Sequence, residues 1–205
     1  FFALPHQVSH HYVPAFLDEG LRCIDFSADY RLRDPELYAK WYGEHEDPDN
    51  IDIAAYGIPE LFREDIASAD LVANPGCYPT SALLCTAPLA RAGLLQPGEI
   101  MVDSKSGVSG RGNKPSPGSM YCECNENLSA YKVGRHRHEP EITQGLEMLG
   151  AEAPDVFFTP HLVPMDRGIL STVYVNLARE MDADELRGVL DDFYADSAFV
   201  TVKAA

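Results

Sequence analysis

A chain of 205 residues, 45% of them hydrophobic, suits one large domain or two small ones and can bury a substantial core. Its 16 basic against 32 acidic side chains leave a net charge of -16, which argues against nucleic acid and anionic membranes as partners. No apolar run has membrane-spanning length and no signal-peptide pattern is read; five cysteines, an odd number, suit free thiols in a reducing, cytoplasmic compartment better than a disulfide framework.

The opening FFALPHQVSHHY has no starting Met and reads as the end of a strand. The closing FVTVKAA reads as another strand-like run, so a piece of a longer protein is expected. Residues 9–19 are weakly helical, and LRCIDFS (21–27) is a strand by apolar density. DPELYAKWYG predicts a helix with Asp34 as N-cap, Pro35 at its first position and Gly43 at its end. Residues 44–57 read as an acidic loop, IPELFREDIASAD as a short helix and LVA (71–73) as a strand. This alternation predicts an α/β layer of the doubly wound kind over 1–76.

The pattern changes at Cys77. TSALLCTAPLARAG predicts a helix with an internal Pro88 and a glycine stop; EIMVDSKSG predicts a strand running into a glycine-rich loop. Residues 107–130 look irregular, and EPEITQGLEMLG reads as an amphipathic helix. DVFFTPHLVP and ILSTVYVNLAR read as antiparallel strands joined by the turn MDRG. DADELRGVLDDFYAD predicts a helix capped by Asp182 or Asp184, and AFVTVKA a last strand. Strand runs with separate helices suggest an α+β unit over 77–205.

In LVANPGCYPTSALLC the strand stops, Pro75 and Gly76 permit a sharp turn, and Cys77 stands at or just before the first helical turn. Unpaired N–H groups at a helix start favour an anion by about 0.3–1 kcal/mol, less than one pKa unit. That is too little to ionise a thiol of ordinary pKa about 8.5 at neutral pH, so a nucleophilic Cys77 needs a basic partner such as histidine. The competing reading is a small structural residue in a turn. Cys85 and Cys23 read as core residues.

GRHRHEPEI supplies His136 and His138, whose H-x-H spacing points both rings the same way in an extended segment. One then serves as base while the other contacts substrate; a solvated helix entrance is the plain alternative. Cys122 and Cys124 with His136 and His138 make a Cys2His2 set, but lack the gaps usual in structural zinc sites, and no metal is expected. His161 reads as facing a core or cleft edge. Between Lys105 and Arg137, six basic residues stand against two acids, a local +4 in an acidic chain. This anion site begins at SKSGVSGRG, whose small residues let backbone N–H groups approach a phosphate or carboxylate.

ANPGCYPTSALLCTAPL resembles the active-site signature of the N-acetyl-gamma-glutamyl-phosphate reductases. IDFSADYRLRD, SKSGVSGRG, NENLSAYKVGRHRHEPEI and FTPHLVPMDRGILST resemble the same family in the same order, and aspartate-semialdehyde dehydrogenases more distantly. The resemblance implies a cytoplasmic, NADP(H)-dependent reductase of arginine biosynthesis. It would convert an acyl phosphate to a semialdehyde through a cysteine thioester and work as a dimer or tetramer. It places the nucleophile on Cys77 and the base on His136, with His138 the second choice. Substrate or phosphate binding falls to Asn74, Ser106, Gly107, Ser109, Gly110, Arg111, His138 and Glu141, and cofactor binding to Gly76, Pro79, Ser106 and Gly107. It also implies a partial Rossmann-type domain at 1–76, without the family's glycine-rich fingerprint, and a catalytic domain at 77–205, incomplete at its end. The alternatives are a related reductase of aminoadipyl, carrier-bound glutamyl or aspartyl phosphate, a thiol hydrolase using Cys77 and His136, and a binding domain in which Cys77 is structural.

Overall fold

The computed structural model describes residues 1–112 and 114–203. The chain forms two compact units, one of Phe1–Gly76 with Tyr194–Thr201 and one built on Cys77–Phe193.

In the first unit a 3-10 turn, Ser9–His11, leads into helix α1 (Val13–Asp18), and strand β1 is Cys23–Asp25. Helix α2 (Pro35–Tyr42) starts as its sequence predicts. The Asp34 side chain accepts the Glu36 N–H, Pro35 needs no partner at the first position, and Gly43 at φ 105° ends the helix. Strand β2 (Ala54–Tyr56) lies in the stretch expected to be loop. Its three residues are all buried and carry no alternation, so the segment has no strand signature of its own. Helix α3 (Pro59–Ser68) and strand β3 (Leu71–Ala73) follow. The strands form a parallel sheet in the order β1-β3-β2, with Leu71 level with both Cys23 and Ala54. Val13, Cys23, Tyr30, Ile51, Ala54, Leu71 and Ala73 make its core, so Cys23 is a core residue as expected. Parallel strands with helical crossovers give this unit its α/β character.

The second unit opens with helix α4 (Cys77–Arg91) and strand β4 (Gly98–Ser106). The irregular stretch contains a four-residue helix α5 (Tyr121–Cys124) and a two-residue strand β5 (Ser129–Ala130). Helix α6 (Glu139–Met148), strands β6 (Pro154–Leu162) and β7 (Ile169–Tyr174) and helix α7 (Ala183–Tyr194) complete it. The sheet order is β5-β6-β4-β7, with β4 parallel to β6 and antiparallel to β7. β6 and β7 therefore run oppositely, but they are not paired as a hairpin. β4 lies between them and takes the hydrogen bonds of both, which local turn chemistry does not reveal.

Alternation along β4 and β6 buries Ile100, Val102, Val156 and Phe158 on one face, where α4 and α6 pack. Gly145 of α6 lets that helix close on Leu83 of α4. Asp182, not Asp184, caps α7: its carboxylate accepts the Asp184 and Glu185 N–H groups at 3.0 and 2.9 Å. The Glu185 side chain in return accepts the Asp182 N–H at 3.1 Å. The expected last strand does not form over 198–203, where no ladder partner is found among the described residues and Phe199 is exposed. Its end, Ala204 and Ala205, lies outside the described residues. Cys85 sits on the exposed side of α4 rather than in the core. The result is an α+β unit with a mixed sheet.

Candidate active site

The strand-to-helix turn places Cys77 as the first residue of α4, exposed and outside any disulfide. Counting along the helix, Thr80, Ser81 and Leu84 fall at i+3, i+4 and i+7 and share the face of Cys77. These four, with Ser106, Gly107, Ser109, Gly110, Gly168 and Ile169, line a cavity of about 450 Å³. The loop after β4 thus meets the thiol. Gly107 is needed there because a Cβ would stand 2.8 Å from the Arg167 backbone nitrogen. Its own N–H donates to the Gly168 carbonyl at 2.9 Å, which pins the loop to the turn before β7.

Beside the thiol stands an aromatic cluster. The Tyr78 and Tyr131 hydroxyls share a hydrogen bond of 2.7 Å, and the Tyr78 ring contacts His136, His138 and Phe158 edge-on. Tyr131 also contacts His136, and the Arg111 guanidinium lies over its ring. The His136 and His138 rings are 4.8 Å apart. They meet through a turn rather than through the extended segment expected from the H-x-H spacing. The His138 backbone N–H donates to Nδ1 of His136 at 3.1 Å. A neutral His136 then carries its proton on Nε2, leaving that atom as a donor. Burial, then Lys132 and Arg137, lower the His136 pKa to about 4, so the ring is neutral near pH 7. Burial likewise raises the Tyr78 and Tyr131 hydroxyls, which stay protonated.

Of the other expected site residues, Arg111 is exposed at the end of a 3-10 turn. His138 precedes α6, and Glu141 is fully buried in its first turn. Pro79 is buried in the first turn of α4. In the other unit, Gly76 is buried and the Asn74 carbonyl accepts the Arg31 Nε–H at 2.7 Å, which braces the end of β3. His161 is largely buried on the sheet and pairs with Asp103 at 3.1 Å. Cys122, Cys124, His136 and His138 do not converge as a metal cluster among the described residues. Reading residue types alone missed Thr80, Ser81, Leu84, Tyr78 and Tyr131. Helical spacing from Cys77 identifies the first three; the tyrosines meet only in the fold.

Two family models match this chain. "Semialdehyde dehydrogenase, NAD binding domain" matches residues 1–69, and "Semialdehyde dehydrogenase, dimerisation domain" matches residues 77–205. Among curated proteins, an N-acetyl-gamma-glutamyl-phosphate reductase of Dehalococcoides mccartyi is 50% identical over 206 residues, which cover all of this chain and 60% of that protein. The one of Geotalea daltonii is 52% identical over 203 residues, 98% of this chain and 59% of its own. The chain therefore spans about 60% of the length of the curated relatives it matches. Among solved structures, aspartate semialdehyde dehydrogenase II of Vibrio cholerae superposes with a TM-score of 0.67 at 18% identity, over 93% of this chain and 59% of that one. The Candida albicans aspartate semialdehyde dehydrogenase with NADP gives 0.62 at 11% identity, over 91% and 53%. Those two likenesses speak for the fold, and the family models span both units. With a thiol at the head of α4 and a glycine-rich loop facing it, the chain belongs to the semialdehyde dehydrogenase family.

Proposed function

We propose that the protein containing this chain reduces N-acetyl-gamma-glutamyl phosphate to N-acetylglutamate semialdehyde and phosphate, with NADPH as reductant, in the cytoplasm. The observation that carries this reading is the cavity shared by Cys77 and the Ser106–Gly110 loop. Identity of about half to the named reductases supports the N-acetylglutamyl substrate over aspartyl or aminoadipyl phosphates.

The Cys77 thiolate attacks the carbonyl carbon of the acyl phosphate. A C–S bond forms, the C–O bond to phosphate breaks, and inorganic phosphate leaves beside the N–H groups of the Ser106–Gly110 loop. Ser106 and Gly107 border the thiol's cavity, which fits a reductant reaching the thioester at that wall. A nicotinamide dinucleotide, when bound, would supply the hydride for reduction of the thioester. His136, neutral and protonated on Nε2, donates a hydrogen bond to the oxyanion of the thiohemiacetal. Collapse of that adduct breaks the C–S bond, frees the aldehyde and restores the thiolate. The parallel layer over 1–76 serves as part of the dinucleotide-binding domain, and 77–205 as the catalytic domain.

The protein is also proposed to be a homo-oligomer. Met101, Phe157 and Tyr174 are level with one another on the sheet face opposite α4 and α6, with Leu170 nearby, and all four are exposed. An apolar sheet face of this kind suits burial against a second copy.

The test uses the full-length protein. With acyl phosphate and no NADPH, an acyl adduct should appear on the Cys77 peptide, and NADPH should then discharge it as aldehyde. Steady hydrolysis without NADPH would favour a thiol hydrolase, and full turnover by a Cys77→Ala variant would refute the nucleophile.

A further inference from the structure

Away from the thiol, in the first unit, ligand atoms of His10, His11 and Glu46 lie within 4.8 Å of one another. His11 Nδ1 is 2.8 Å from a Glu46 carboxylate oxygen. His10 is buried, with 3% of its surface exposed, and its Nδ1 has no hydrogen-bond partner among the described residues. Its ring lies 4.6 Å from that of His11 and 4.8 Å from that of His45. The neighbouring imidazoles are committed elsewhere. His45 meets the Asp29 carbonyl through Nε2 at 2.7 Å and accepts the Asp47 N–H on Nδ1 at 3.0 Å. His6 Nδ1 accepts the Ala28 N–H at 2.9 Å. A buried ring nitrogen without a partner is costly, and buried polar groups in native folds nearly always find one.

We propose that His10, His11 and Glu46 bind a divalent transition ion of the zinc or cobalt type. Two imidazoles and one carboxylate suit such borderline ions and leave a position for water, whereas magnesium and calcium prefer all-oxygen sets. The ligand atoms must draw together for bonds of about 2.0–2.2 Å. The side chains of His11 and Glu46, 42% and 63% exposed, are free to turn and do so. The ion replaces the His11–Glu46 contact, takes up a His10 nitrogen, and clips the turn Ser9–His11 to the loop after α2. This site is independent of the thiol chemistry.

The test is a titration of the metal-free full-length protein with Co²⁺ and Zn²⁺, in the wild type and in His11→Ala and Glu46→Gln variants. Both substitutions replace exposed side chains, and circular dichroism checks that the variants fold. Binding of one Co²⁺ with d–d absorption but no thiolate charge-transfer band is expected, weakened about tenfold or more in each variant. Zn²⁺ should raise the melting temperature of the wild type by more than that of either variant. No binding, binding with a thiolate band alone, or affinity unchanged in both variants would overturn the proposal.

Discussion

The backbone N–H of His138 and Nδ1 of His136, 3.1 Å apart, decide which nitrogen of the His136 imidazole carries its proton. Because an amide can only donate, Nδ1 must accept, and the neutral ring carries its proton on Nε2. Burial holds the ring neutral, with a pKa near 4. An unfolded imidazole titrates near 6.5, so between these values the unfolded chain binds the extra proton. Stability is therefore complete above about pH 6.5 and falls as pH drops toward 4, by an amount on the order of 3 kcal/mol from this residue. Denaturant unfolding from pH 4 to 8 should show that slope, and a His136→Gln variant a shallower one. Some slope should remain, because burial also lowers the His45 pKa. An unchanged slope in the variant would contradict a buried, neutral His136.

Gly145 sets how closely α6 approaches α4. A Cβ at that position would stand 2.9 Å from Leu83 Cδ2 and closer still to Cδ1. Gly145→Ala should destabilise by about 1–3 kcal/mol through overpacking, despite the better helix propensity of alanine. A Leu83→Ala background should reduce the penalty, which a double-mutant cycle by chemical denaturation measures.

Beside the thiol, the buried Tyr78 hydroxyl pairs with that of the half-buried Tyr131. Tyr131→Phe leaves the Tyr78 hydroxyl without that partner and should cost about 1–2 kcal/mol of stability. In the full-length enzyme it should also lower kcat more than it changes KM, if the pair orients the His136 ring. Loss of stability with unaltered kinetics would confine the pair to a structural role.

Gly107→Ala should disturb the loop rather than the core. Its new methyl would meet the Arg167 backbone at 2.8–3.0 Å and force the loop after β4 away from the turn before β7. Slower alkylation of Cys77 or weaker phosphate binding, with the fold retained by circular dichroism, is the expected result.

The capping box of α7 gives a simple stability test. Asp182→Ala removes the acceptor of two helix N–H groups and should cost about 1 kcal/mol, whereas Asp182→Ser should recover most of it. Thermal unfolding of the two variants distinguishes them.

Much of this was legible in the residues themselves, because the signals are local. Asp34, Pro35 and Gly43 bound α2 through chain chemistry that needs no distant partner. Alternation marks which faces of β4 and β6 are buried, and the turn at Pro75 and Gly76 delivers Cys77 to a helix start. Other features depend on residues far apart in the chain. β2 is three residues long and exists because β3 offers it a ladder; residues 198–203 carry a strand-like run and pair with no strand among the described residues. The place of β4 between β6 and β7 is a long-range pairing that no turn encodes. The H-R-H run announced two histidines, but burial against Tyr78, Tyr131 and Phe158 decided that His136 is neutral. Sequence chose the side chains and the ends of the helices. Tertiary structure chose their partners and protonation states, because hydrogen-bond pairing and desolvation depend on what the rest of the chain brings close.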